Sequence, residues 1–228
     1  MEENKLLNEK DGGRYSLKGS CLWGILLFFI LLLVDQVTKI AADVYFNLDG
    51  APDKIVIVPN MIELCMSYNR GIAFSALADA GTTVKMLVVV GTGVVMLAIG
   101  ALYFKLDKRR TLLRLAIVFI VAGGVGNLID RIYYRVWDPT TAALIRDGVR
   151  DMVRVKIIFD FGVCNFADFF ITGGAVMLVL ALLFFDKEAV FPLGKKYKAL
   201  AKEAEEEEEK KRAAKENAAK KDTEEKNG

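Results

Sequence analysis

Apolar residues gather in four long runs, and most charges near them fall at their ends. The first run, Cys21 to Val34, continues through Asp35, Gln36, Thr38 and Lys39 towards Ala42. The second spans Met86 to Phe104 and is closed by Lys105, Lys108, Arg109 and Arg110. The third extends from near Leu112 to Ile129 and meets Asn127, Asp130 and Arg131 at its end. The fourth starts near Phe166, carries Asp168 in its first turn, and reaches Phe185 before Asp186 and Lys187. Apolar runs approaching the length of a bilayer-crossing helix predict four transmembrane spans. A cleaved signal peptide is the alternative for the first run. No small-x-small cleavage site follows it and three further spans do, which favours an anchored helix.

Between the first two runs, residues 43–83 hold Pro52, Pro59 and two β-prone stretches, Ile55–Val58 and Met61–Ser67. Residues 132–165 hold another, Val155–Phe161. The expected fold is an all-α membrane bundle of four transmembrane helices with a small extracytoplasmic β element. Residues 1–19 form a polar N-terminal tail, 20–186 the membrane domain with outer loops 43–83 and 132–165, and 187–228 a charged tail with five glutamates at 205–209. Basic residues of the N-terminal tail, of the 105–114 loop and of the 195–198 stretch share one side in a four-span topology. The positive-inside rule makes that side the cytoplasm and places both termini there.

Composition narrows the chemistry. Of the 228 residues 54% are hydrophobic, more than in an ordinary soluble domain. The net charge is +2, and no sustained basic face offers itself to nucleic acid. The chain contains no histidine, which excludes Ser-His-Asp and Cys-His catalysis and His-rich zinc sites. Cys21, Cys65 and Cys164 form no CxxC pair and read as packing residues. Acid–base work near neutral pH then falls to carboxylates, lysines, tyrosines or thiols.

The polar residues near the spans converge on one membrane surface. Asp35 and Lys39 share a helix face by their i, i+4 spacing. Asn127, Asp130 and Arg131 end the third span, Asn165 and Asp168 open the fourth, and Asn69 sits in the loop before the second. Ionisable groups beside a span are functional candidates. Plainer readings stand next to that one: Asp35–Lys39 and Asp130–Arg131 as simple ion pairs, Asn127 and Asn165 as interhelical hydrogen-bond partners, and Asp168 as a helix N-cap.

Taken together, these segments resemble lipoprotein signal peptidase, the signal peptidase II family. Asp35-Gln36-Val37-Thr38-Lys39 is similar to the family's DxxTK element, and Asn69-Arg70-Gly71-Ile72-Ala73-Phe74-Ser75 to its NxGxAFS element. The stretch from Gly123 to Arg131, including Asn127 and Asp130, resembles GGxxGNxxDR. Gly148-Val149-Arg150-Asp151 resembles GxVxD, and Asn165-Phe166-Ala167-Asp168 matches NxAD. Five elements in the family's order cover roughly residues 20–186.

The resemblance implies an aspartyl endopeptidase with an outer β-cradle, which removes signal peptides from diacylglyceryl-modified prolipoproteins just before the lipidated cysteine. It implies a catalytic dyad of Asp151 and Asp168. Asp35, Lys39, Asn69, Gly71, Asn127, Asp130, Arg131, Asn165 and Ala167 would support the dyad or the substrate. Lipidated substrate and membrane lipid are the expected partners of a monomer that needs neither cofactor nor metal and sits in the bacterial inner membrane. The segment from Arg131 to Asp151 is longer than the family's pattern and Met152 replaces an aromatic, so Asp160 is the alternative first aspartate. Two other functions compete: a proton-coupled carrier using Asp35, Asp130 and Asp168, and a Ser-Lys peptidase using Ser75 and Lys39. Charges clustered at one end, and the absence of an internal repeat, weigh against the carrier.

Overall fold

The structure, a computed structural model, describes residues 17–71, 80–107, 110–138, 148–157 and 159–185, with isolated positions between 190 and 213. Four helices carry the apolar runs: α1 (Leu17–Phe46), α2 (Thr82–Lys105), α3 (Thr111–Tyr133) and α4 (Phe166–Phe184). The shortest has 19 residues, about 28 Å at the usual helical rise, close to the thickness of a bilayer's hydrocarbon core. All four are long and apolar enough to cross a membrane. Leu26, Phe29 and Leu33 of α1 and Leu87, Val90 and Leu97 of α2 stay exposed, as suits a surface solvated by lipid tails. Residues 1–16 of the N-terminal tail and most of the C-terminal tail lie outside the described residues, and residues 17–19, expected in the tail, open α1.

Helix α3 is the hub, packing against each of the other three helices. Its glycines explain how. A Cβ on Gly123 would stand 2.3 Å from the Ala167 carbonyl oxygen of α4, one on Gly124 2.1 Å from Met96 Sδ of α2, and one on Gly126 2.5 Å from Asp35 Oδ2 of α1. Small residues let membrane helices approach where apolar burial supplies little drive for association. Away from the polar end, Leu31, Tyr103, Ile117, Val118 and Ala122 form the buried apolar cluster.

The β element is one four-stranded antiparallel sheet in the order β1 (Lys54–Val58), β2 (Ile62–Asn69), β3 (Val149–Lys156), β4 (Asp160–Cys164). The single β-prone stretch expected at Val155–Phe161 is in fact the end of one strand, a turn and the start of the next. Apolar Ile157 and Phe159 flank that turn, with no glycine or proline between them to announce it. Asn69, expected in a loop, closes β2, with Val149 opposite it, and Ser67 faces Asp151. Gly148, just before β3, has φ +130°, and a Cβ there would meet the Asn69 carbonyl at 2.6 Å, so only glycine fits. β4 runs directly into Asn165 and α4.

Candidate active site

The site is built where α1, α3, α4 and β3 meet. Lys39 and Asp35 are wholly buried and pair at 2.9 Å, as their spacing predicts. Asp35 also accepts from the Ala167 amide at 2.9 Å and from Gln36 Nε2 at 3.0 Å, which ties α1 to the first turn of α4. Asp130 is wholly buried too, but it does not pair with its neighbour Arg131. It accepts from the Arg150 guanidinium at 2.6 Å and the Arg150 amide at 3.0 Å, and lies 3.5 Å from Lys39. Consecutive residues on a helix point about 100° apart, so Arg131 is directed elsewhere, donating to the Gly71 carbonyl at 3.1 Å.

Two asparagines present their amides to two carboxylates, and each is oriented by an obligatory donor. Lys39 Nζ donates to Asn127 Oδ1 at 2.9 Å, so Asn127 Nδ2 is left to donate to Asp168 Oδ1 at 2.8 Å. Asn165 caps α4, and its Oδ1 accepts from the Asp168 amide at 3.0 Å. Asn165 Nδ2 therefore donates, to Asp151 Oδ1 at 2.6 Å and to Asn127 Oδ1 at 3.0 Å. Asp168 completes the capping box by accepting from the Asn165 amide at 3.1 Å. It is thus the third residue of α4 and not the N-cap. The asparagines do join helices, and both also hold a carboxylate.

Asp151 is only 4% exposed, and its carboxyl is bonded by Asn165 and Asn69. Among the described residues neither Asp151 nor Asp168 forms a salt bridge. Burial, and then the negative charge of Asp168, push the Asp151 carboxyl up to about 7 against the opposing pull of those hydrogen bonds and of Lys39. Asp160 differs on each count. It lies exposed at the hairpin tip, 2.7 Å from Arg154 and 3.9 Å from Lys156, and the Arg154 hydrogen bond holds its carboxyl below the usual range. It is not brought to Asp168's asparagines.

Asn69 Oδ1 also accepts from the Gly71 amide at 2.9 Å, closing the turn that leaves β2. The rest of that element, Ile72 to Ser75, lies outside the described residues, so a Ser75–Lys39 pairing has no geometry here. Lys39 itself is enclosed between Asp35 and Asp130. Sequence reasoning missed two supporting residues, Gln36 and Arg150. Arg150 stands beside Asp151 in a quoted motif, yet nothing in the sequence links it to a carboxylate twenty residues earlier. Among the described residues no three Cys, Asp or Glu side chains gather as they would around a metal ion.

A family model described as Signal peptidase (SPase) II matches residues 27–184. The chain is 30% identical to the lipoprotein signal peptidase of Ectopseudomonas mendocina, over 72% of this chain and 90% of that protein. It is 32% identical to that of Pseudomonas aeruginosa, over 70% and 85%, and 28% identical to that of Fusobacterium nucleatum, over 75% and 92%. Two solved structures described as bacterial membrane enzymes match the fold with TM-scores of 0.57 and 0.54 at 25% and 26% identity. Each covers 70% of this chain, against 87% and 92% of its own. The fold, the four spans and a family match across most of the chain agree: this multi-pass bacterial membrane protein belongs to the signal peptidase II family of aspartic-type peptidases.

Proposed function

We propose that Asp151 and Asp168 form an aspartyl dyad that removes the signal peptide from diacylglyceryl-modified prolipoproteins, cutting just before the lipidated cysteine. The observation that carries this reading is Asn165, which donates to Asp151 and locks Asp168 in its capping box, holding two carboxylates to one residue. Peptide hydrolysis needs one ionised and one protonated carboxyl. A carboxyl that titrates at about 7 keeps a proton to share at neutral pH. The ionised member accepts a proton from water, whose oxygen attacks the scissile carbonyl. The protonated member donates to the carbonyl oxygen to give a gem-diol. The carboxyl that took the water's proton then gives it to the leaving amine as the C–N bond breaks, and the other carboxylate takes back a proton from the gem-diol. The proton belongs to the pair, so neither aspartate holds a fixed role.

The supporting roles follow the same reading. Lys39 orients Asn127 and Asp35 fixes the start of α4. Asp130 with Arg150 ties β3 to α3, and Arg131 with Asn69 and Gly71 shapes the approach of the substrate backbone. Residues 20–186 carry the activity as a monomer in the inner membrane, both termini on the cytoplasmic side and the dyad at the extracytoplasmic face. Acyl chains stay in the bilayer and substrate enters laterally between helices. The test is cleavage by purified protein of a lipidated prolipoprotein beside its unlipidated twin. Cleavage of the lipidated form alone, lost in Asp168→Asn, supports the reading. Equal cleavage of both forms, or an active Asp168→Asn enzyme, defeats it.

A further inference from the structure

A second polar cluster lies beyond the dyad, and the roles above leave it unused. Asp43 stands four residues past Lys39 on the same face of α1, and Asn47, four further, is the first residue beyond the helix end at Phe46. Tyr68 of β2 donates its hydroxyl to Asp43 Oδ1, and Asn47 Nδ2 donates to the same oxygen at 2.9 Å and to the Tyr68 hydroxyl at 3.0 Å. Tyr134, which caps α3, reaches Asp43 Oδ2 at 3.5 Å. The Tyr68 and Tyr134 rings meet edge to face at 6.4 Å, and the Arg150 guanidinium lies 5.7 Å from the Tyr134 centroid. All four members are half-buried. One carboxylate thus joins α1, β2 and the end of α3.

We infer that Asp43, acting through Tyr68 and Tyr134, is a positioning residue that sets where the sheet holds Asp151. Tyr68 is the register partner of Arg150. Side chains alternate along a strand, so Tyr68 and Arg150 point away from the face on which their neighbours Asn69 and Asp151 are bonded to each other. The cluster pins the back of the strand pair whose front carries the catalytic carboxyl. Arg150 links the two arrangements, since the guanidinium beside Tyr134 is the one that clamps Asp130. Release of the Asp43 link leaves the back of the strand pair tied to α3 through the Arg150 clamp on Asp130, and Asp151 shifts relative to Asp168. The inference rests on the reading of Asp151 as a dyad member.

The experiment uses full-length Tyr68→Phe, Asp43→Asn and the double variant, each assayed on lipidated prolipoprotein with kcat and KM separated and referred to correctly folded protein. Tyr68→Phe removes one hydroxyl and preserves the ring, so folding is spared. Each single variant is expected to lose about tenfold in kcat, because small misplacement of a reacting group is costly, with KM within about twofold. The double variant is expected to be no slower than the worse single, because both changes cut one link. Wild-type kcat in Tyr68→Phe, a loss confined to KM, or losses that multiply in the double variant would each overturn the inference. An active Asp151→Asn enzyme would instead remove the dyad assignment, a failure read in a different protein.

Discussion

The base and the tip of the β3–β4 hairpin each carry an aspartate, and the two are chemically opposite. At the base, Asp151 is buried among amides, with Asp168 as its charged neighbour, and titrates at about 7. At the tip, Asp160 has a side chain 42% exposed and two cations beside it, and is held below the ordinary range. Nine residues of one hairpin separate a group that retains a proton at neutral pH from one that does not. What distinguishes them is removal from water, and then the negative charge of Asp168 where Asp160 has two adjacent cations, not the motif letters around them.

Neutralising each aspartate in turn separates the two most sharply. Asp151→Asn and Asp168→Asn are expected to lose a thousandfold or more in kcat, roughly the scale seen when a member of a catalytic unit is removed. Asp160→Asn should remain within about twofold, because an exposed ion pair contributes little. Full processing by Asp151→Asn with an inactive Asp160→Asn would reverse the assignment.

Next in size is the buried support. Lys39→Met leaves Asp35 and Asp130 without their shared cation and Asn127 without the donor that orients it. Losing one partner of a buried ion pair costs about 3 kcal/mol or more, so a lower unfolding midpoint in detergent is expected. Activity per folded molecule should fall as well, through Asn127 and Asp168. A Lys39→Met protein with unchanged midpoint and rate would show that the network does not hold the site.

A gentler probe is pH. The Asp151 carboxyl is protonated below about 7 and loses that proton above it, so kcat should decline as pH rises through neutrality. Its raised pKa also means that the folded state binds the proton more tightly than the unfolded chain does. The associated stabilisation is present at low pH and is lost as pH rises from the usual carboxylate range to about 7. Asp160, shifted downward, should leave no mark on the alkaline side. A rate that stays flat from pH 6 to pH 9 would count against a shared proton.

Much of this was legible in the sequence, and the exceptions have physical causes. Apolar length fixed the four spans to within a few residues. α1 continues past Ala42 to Phe46, and the charge met there, Asp43, is held by the Tyr68 hydroxyl of the sheet. Strand β3 was hidden, since Arg150, Asp151 and Arg154 lower its β character, and it is held by pairing with β2 rather than by propensity. The Asp130–Arg150 pair was invisible because it joins elements distant in sequence, whereas the adjacent Asp130–Arg131 pair was visible and does not form. Asp43 and Asn47 could have been found by extending the i, i+4 ladder that begins at Asp35 and Lys39.

A proton shared by Asp151 and Asp168 is read most directly by titrating the Asp151 carboxyl with difference infrared spectroscopy in wild-type and Asp168→Asn protein. Such sharing requires a carboxyl C=O band lost at about pH 7 in the wild type, moving to lower pH once the charge of Asp168 is removed. An Asp151 carboxyl already ionised in the ordinary carboxylate range, or one indifferent to Asp168→Asn, would contradict it.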